Sequence, residues 1–80
     1  MGMIGNVVYI ICEQMIREGT RQIKSVHATF DGTYAELNRL GKINRDAGYE
    51  VSWDSNGRVL VYGDKGLVYE YYVSTRTIEK

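Results

Sequence analysis

The sequence predicts an α+β domain in which an antiparallel sheet of about five strands carries one helix on one face. Three observations predict this fold. Residues 49–73 divide at two glycine-containing turns into three short runs of aromatic and β-branched residues, which is typical of consecutive antiparallel strands. Residues 7–30 contain two further strand-like runs, and the segment between these blocks has helical periodicity. The expected element order is ββαβββ within a single domain of residues 1–80.

The first two strands are expected to form a hairpin. The segment from Val7 to Glu13 is a continuous apolar run that is too short for a typical helix, so it predicts a strand buried on both faces near the centre of the sheet. Gly19 then turns the chain, and residues 21–30 return as the partner strand.

The helix follows this hairpin. Thr33 and Glu36 have the spacing of a capping box, in which each side chain accepts a hydrogen bond from an unpaired amide of the first turn. Gly41 weakens the helix by about 1 kcal/mol relative to alanine, and Gly48 is well placed to end it. The predicted apolar stripe comprises Tyr34, Leu37, Leu40, Ile43 and Ala47.

The last three strands have a register that the turns predict. Asn56-Gly57 favours a two-residue type I′ turn, which would place Trp53 opposite Leu60. A loop from Gly63 to Gly66 would place Tyr62 opposite Leu67. The side expected to face the helix then carries Tyr49, Val51, Trp53, Leu60, Tyr62, Leu67, Tyr69, Tyr71 and Val73. The opposite side carries Val59, Val61, Val68 and Tyr72 among its polar residues.

Composition restricts the classes of function. Ten basic and ten acidic residues give zero formal net charge, which removes the bulk positive field of a duplex-binding protein. The single cysteine, Cys12, cannot form an intramolecular disulfide, and a cytoplasmic location is the simplest expectation. The first twelve residues contain neither the basic region of a signal peptide nor an apolar run near ~18 residues, so no membrane span is expected.

No pattern of residues predicts an enzyme, a metal site or a cofactor. His27, the only histidine, lacks a nearby carboxylate partner and metal-ligand spacing, so a residue on the sheet surface is the better interpretation. Cys12 lies in an apolar run without an adjacent cation, which favours an inert buried thiol. The glycines of the Gly63–Gly66 turn do not match a phosphate-binding loop.

The single predicted helix can cover only one face of the sheet, and the apolar residues on the other face predict a binding partner. A helix of about 14 residues is ~20 Å long and covers one face of a small sheet. The candidate partner-binding residues on the other face are Tyr9, Val59, Val61, Val68 and Tyr72. Since a domain of this size is only marginally stable alone, a homodimer built on that face or on an edge strand is expected.

Seven tyrosines in 80 residues leave an alternative function open. Tyr9 and Tyr72 could stack on the bases of a single-stranded nucleic acid. The basic residues for this alternative are Arg39, Lys42, Arg45 and Arg58. Glu36 and Asp46 bracket the helical part of this set, which favours a solvated helix surface over a phosphate groove. Sequestration of a small ligand at a dimer seam is a third possibility.

Short motifs in three places resemble those of small bacteriophage proteins of β-β-α-β type. They are the opening strand VYIICE (residues 8–13), the Phe30-Asp31 entry into the helix, and the closing YEYYV (residues 69–73). The hairpin from Tyr49 to Asp64 has no counterpart in that group. The resemblance implies a phage or mobile-element product that acts in the host cytoplasm by binding a protein, as anti-CRISPR and other anti-defence inhibitors do. It implies no particular site residues.

Overall fold

Six elements follow the order ββαβββ, and the predicted α+β fold is confirmed. The computed structural model describes residues 6–78. The elements are β1 (Asn6–Met15), β2 (Thr20–His27), α1 (Phe30–Asp46), β3 (Glu50–Trp53), β4 (Val59–Gly63) and β5 (Gly66–Ile78). All five strands belong to one antiparallel sheet with the order β2-β1-β5-β4-β3, so β2 and β3 are its edges.

The apolar strand β1 lies inside the sheet, as predicted. It pairs with β2 on one side, and on the other side it pairs with β5 over ten residues, from Asn6↔Ile78 to Met15↔Tyr69. Side chains alternate between the two faces along the strand. Ile11 therefore points towards the helix and is fully buried, whereas Cys12 points to the opposite face.

The helix begins one turn earlier than the sequence predicts. Thr29 is the N-cap, and its hydroxyl accepts a hydrogen bond from the Gly32 amide at 3.0 Å. The predicted capping box at Thr33 and Glu36 is wrong. Thr33 is buried in the first turn, where its hydroxyl donates to the Thr29 carbonyl at 2.7 Å. Gly48 follows the helix with φ of 101°, which confirms its expected role in ending the helix.

The buried stripe of the helix is rotated relative to the prediction. Leu37 and Leu40 lie in the core as expected, but Tyr34 and Ile43 are about half exposed. The buried helical residues are Thr33, Leu37, Leu40, Gly41 and Asn44. Gly41 belongs to this rotated stripe and faces Trp53 and Val51 of β3. A Cβ at this position would lie 3.4 Å from the Trp53 ring.

The hairpin between β3 and β4 has a different register from the predicted one. Trp53 pairs with Val59, not with Leu60. The Asp54 amide donates a hydrogen bond to the Arg58 carbonyl at 3.0 Å, so that the loop between these two residues contains three residues. Gly57 adopts φ of 81°, which fits a type I turn followed by a left-handed residue. The Asp54 carboxylate fixes this loop by accepting hydrogen bonds from the amides of Asn56 and Arg58, both at 2.9 Å. Because of this one-residue shift, the side chains of β4 that were expected on one face of the sheet lie on the other.

The sheet therefore has two unequal faces. The helix face carries the core, which consists of Ile11, Leu37, Leu40, Val59, Val61 and Tyr71, with Tyr49, Val51, Tyr69 and Val73 packed against it. We call the opposite side, which no helix covers, the open face. By strand alternation it carries Ile10 and Cys12 of β1, Tyr72 and Ser74 of β5, and Leu60 of β4.

Both edges of the sheet carry features that discourage pairing with another strand. In β2 the register shifts opposite Ile11 and Cys12, so that Lys24 is the extra residue of a bulge. β3 has only four residues. Bulges, lysines and short edge strands are devices that oppose edge-to-edge association.

Candidate functional site on the open face

A groove crosses the open face between β2 and β5. We call it the open-face groove, and its volume is about 540 Å³. Its lining residues are Ile10, Cys12, Arg21, Gln22, Ile23, Tyr72, Ser74 and Arg76. β2 contributes Arg21 and Ile23, and β5 contributes Tyr72, Ser74 and Arg76 at every second position. The alternation of the strands is what brings these side chains to one side of the sheet.

Arg21 and Tyr72 form the polar centre of this groove. The Arg21 Nη1 atom donates a hydrogen bond of 2.9 Å to the Tyr72 hydroxyl. This bond raises the pKa of Arg21 above its ordinary value. The guanidinium is charged, as in any arginine. Because tyrosine supplies no negative charge, the guanidinium is positioned but not neutralised.

Arg58, on the neighbouring part of the open face, contrasts with Arg21. Its guanidinium pairs with Asp54 at 2.7 Å and with Glu70 at 3.3 Å. The Arg58 backbone amide, followed by its side chain, lowers the pKa of Asp54. In residues 6–78, neither Arg21 nor Arg76 forms an ion pair with a carboxylate. Within residues 6–78, the open-face groove therefore carries two guanidinium groups without a carboxylate partner.

Exposed aliphatic side chains border this charge. Ile23 is 63% exposed and Val26 is 57% exposed, and both lie on the edge strand β2. Ile10, which pairs with Val26, extends the apolar surface towards the centre of the sheet. The open face therefore combines an apolar surface with two guanidinium groups that form no ion pair in the described part of the chain.

Of the predicted partner-binding residues, only Tyr72 is confirmed to lie on the open face. The placement of Val59 and Val61 there was wrong, because the three-residue loop turns β4 over and buries both under the helix. Tyr9 shares the side of Ile11, and its ring contacts Phe30 with centroids 6.1 Å apart. Val68 lies at a bulge in β5, where its Cγ2 atom packs over Gly63.

The residues of the nucleic-acid alternative do not converge on one surface. Tyr9 and Tyr72 lie on opposite faces of the sheet. Arg39 pairs with Glu36, and Lys42 pairs with Asp46 at 3.2 Å. The other two members also lie apart, with Arg45 near the helix end and Arg58 paired on the open face.

A row of aromatic rings on the helix side was missed by the sequence reasoning. Tyr9, Phe30, Tyr34 and Trp53 follow one another with successive centroid distances of 6.1, 6.2 and 6.2 Å. Phe30 and Tyr34 are more than half exposed. The sequence feature that indicates this row is the four-residue spacing of Phe30 and Tyr34. It places the two rings on one side of the helix only if the helix begins at Phe30.

No family model, curated protein or solved structure matches this chain. The resemblance to small phage proteins therefore stays a prediction, as does the function it implies.

The core contains one polar cluster with a structural role. Glu13 is 7% exposed, and its carboxylate accepts hydrogen bonds from the Tyr71 hydroxyl at 2.6 Å and from Gln22 at 2.7 Å. Asn44 of the helix donates to the Leu40 carbonyl at 2.8 Å and approaches the same hydroxyl at 3.4 Å. Each buried group thereby has a partner, which is the condition for tolerating polarity in a core.

The remaining chemical candidates give no site. His27 shares a 2.8 Å hydrogen bond with Ser25 on the helix side of β2. In the part of the chain that the structure describes, no three His, Cys, Asp or Glu side chains are grouped closely enough to hold a metal ion. Within the same residues, no helix has the length and apolar character needed to cross a membrane.

Proposed function

We propose that this protein is a non-enzymatic interaction protein that occludes a surface of another protein by docking its open face. The observation that carries the proposal is the combination of exposed Ile23 and Val26 with the guanidinium of Arg21, which forms no ion pair within residues 6–78, on a face without helical cover. An apolar surface beside arginine and tyrosine side chains is typical of protein interfaces.

The biological setting that we propose comes from the motifs at residues 8–13, 30–31 and 69–73. A phage or mobile-element inhibitor of this size would act in the cytoplasm of the host, where its target would be a host protein such as a defence factor. Binding by a preformed sheet face requires no cofactor and no catalytic residue, so the protein would act stoichiometrically.

A second copy of the chain is the competing occupant of the open face. In a face-to-face dimer that places one open-face groove against the other, Arg21 and Arg76 of both copies would come together, and the described groove lining offers no acidic residue to separate them. Such like-charge contacts oppose association. An unlike protein avoids them, and we therefore favour an unlike partner over the homodimer that the sequence suggests.

Capture from host lysate with matched variants tests the proposal. The immobilised protein is compared with Ile23→Asp, which places a charge on the open face, and with Ile43→Asp, which makes the same change at a half-exposed helical position. We expect a protein that is captured by the wild type and by Ile43→Asp but is lost with Ile23→Asp. Equal capture by all three proteins would contradict docking through the open face.

Light scattering distinguishes the two occupants. We expect the isolated protein to have the mass of one chain, 9.1 kDa. A mass of about 18 kDa, twice the value for one chain, that reverts to the monomer in Ile23→Asp would assign the open face to self-association.

A further inference from the structure

The open-face groove has the chemistry of a site for a carboxylate attached to an apolar group. Its apolar lining consists of Ile10, Cys12 and Ile23. Its polar side carries Arg21, which is positioned by Tyr72. A volume of about 540 Å³ is large enough for a few amino-acid side chains.

The guanidinium of Arg21 is positioned to bind an anion and has N–H donors available for it. Only its Nη1 atom is engaged, by the Tyr72 hydroxyl at 2.9 Å. A guanidinium has five N–H donors, so a bidentate pair with a carboxylate remains possible for the rest of the group. The bond to tyrosine restricts the side chain before binding, which reduces the entropy that the ligand must overcome.

Arg76 extends the positive side of the groove along β5. It lies two residues from Ser74 and four from Tyr72 on the same side of the strand, and it pairs in register with Val8. In the described residues it forms no ion pair. Among the described residues, the groove lining thus contains two positive charges and no acidic residue, whereas the charge of Arg58 is compensated by Asp54 and Glu70.

The groove favours an acidic peptide over a nucleic acid. Single-stranded nucleic acids bind on aromatic faces that stack with successive bases. The only aromatic residue lining this groove is Tyr72, which is half-buried and whose hydroxyl already bonds to Arg21. Aliphatic side chains such as Ile10 and Ile23 instead suit the apolar neighbours of an aspartate or glutamate.

We propose that the open-face groove binds an acidic side chain of the partner protein, with Arg21 and Arg76 contacting the carboxylate and Ile10 and Ile23 contacting its apolar neighbours. This inference rests on the proposed function of the open face. It adds the chemical class of the bound segment, which is an aspartate or glutamate flanked by aliphatic residues.

The test is an NMR titration with two matched peptides. The probe is N-acetyl-Leu-Glu-Leu-amide, and its twin carries glutamine in place of glutamate. We expect the Glu peptide to shift the amide signals of Ile23, Tyr72 and Ser74 with a Kd of about 1 mM. The Gln peptide should bind at least about tenfold more weakly, because a hydrogen bond to a charged group is worth about 1.5–3 kcal/mol.

Variants locate the binding. Arg21→Gln and Arg76→Gln should each weaken binding of the Glu peptide by about tenfold or more. Arg39→Gln is the control, since it removes a guanidinium that is paired with Glu36 on the helix. It should leave the affinity within about twofold. Circular dichroism of each variant verifies that the fold is retained.

Three outcomes would overturn the inference. They are equal binding of the two peptides, binding that is insensitive to Arg21→Gln and Arg76→Gln, and absence of any shift in the groove signals. An oligothymidylate that binds more tightly than the Glu peptide at physiological salt would reassign the groove to a nucleic acid.

Capture of the partner separates this inference from the proposed function. If Ile23→Asp abolishes capture but Arg21→Gln and Arg76→Gln do not, the open face is the interface and the carboxylate site is wrong. If Ile23→Asp has no effect on capture, the proposed function itself is wrong.

Discussion

At the scale of single residues, burial of Tyr71 makes the fold sensitive to alkaline pH. Tyr71 is 3% exposed, and this burial, followed by the bond to Glu13, raises the pKa of Tyr71 from 10.0 to about 12. The unfolded chain releases the proton at lower pH than the folded chain. The stabilisation is therefore fully present below pH 10 and is lost between pH 10 and about pH 12.

We predict that the free energy of unfolding falls by roughly 3 kcal/mol across this window because of Tyr71. Urea unfolding at a series of pH values measures this change. Tyr71→Phe is the comparison, since it lacks the titrating group. The variant should be less stable at neutral pH, because Glu13 loses a donor, but its stability should fall less steeply above pH 10. Parallel losses in the two proteins would contradict the prediction.

Gly41 provides a second prediction at this scale. Its helical backbone tolerates a side chain, and a Cβ would lie 3.4 Å from Trp53, 3.6 Å from Val51 and 3.8 Å from Val59, which are ordinary contact distances. Gly41→Ala should therefore stabilise the protein by about 0.5–1 kcal/mol through helix propensity. Gly48→Ala is the matched control, because its φ of 101° strains any side chain. Thermal unfolding should rank the two variants on opposite sides of the wild type.

At the scale of elements, the register of the β3–β4 hairpin decides which side chains form the core. Val59→Thr buries a hydroxyl beneath the helix and should cost about 1–3 kcal/mol. Leu60→Thr changes the open face and should cost less than the change at Val59. Chemical denaturation of both variants measures the difference. The register with Trp53 opposite Leu60 requires the reverse order, so the ranking separates the two registers.

The sequence predicts the elements of this fold better than their faces. Aromatic and β-branched runs identify the strands because such residues suit a half-buried pleated surface. Asn56-Gly57 is compatible with a two-residue or a three-residue loop. The choice depends on hydrogen bonds from the loop to Asp54, and an error of one residue exchanges the two faces of β4.

The difficulty of predicting which face a side chain occupies also explains the errors at the candidate site. The face of Tyr72 was predicted correctly because β5 alternates regularly from Tyr69 to Val73. Arg21 was not recognised, since its meeting with Tyr72 joins residues 51 positions apart across three strands. The bulge at Lys24 also shifts the alternation of β2, so that Ile23 and Val26 share a face although they are three positions apart.

At the scale of the whole molecule, the strand order concentrates stability in the middle of the sheet. β1 and β5 each pair on both sides, and the helix covers one face of them. The edge strand β2 pairs only with β1 and is largely exposed. Local opening should therefore begin at the edges, because few buried contacts oppose it there.

Amide hydrogen exchange tests this distribution of stability among the strands. The same experiment tests whether a second chain pairs with an edge strand. We predict that amides of β1 and β5 exchange only through global unfolding, whereas outward amides of β2 exchange quickly because no strand accepts their hydrogen bonds. Addition of the partner should slow exchange near Ile23 and Tyr72 by covering the open face, while the outward amides of β2 stay fast. If those outward amides are already slow in the isolated protein and become fast on dilution, a second chain pairs along β2. The sheet edge, and not the open face, would then be the surface for self-association.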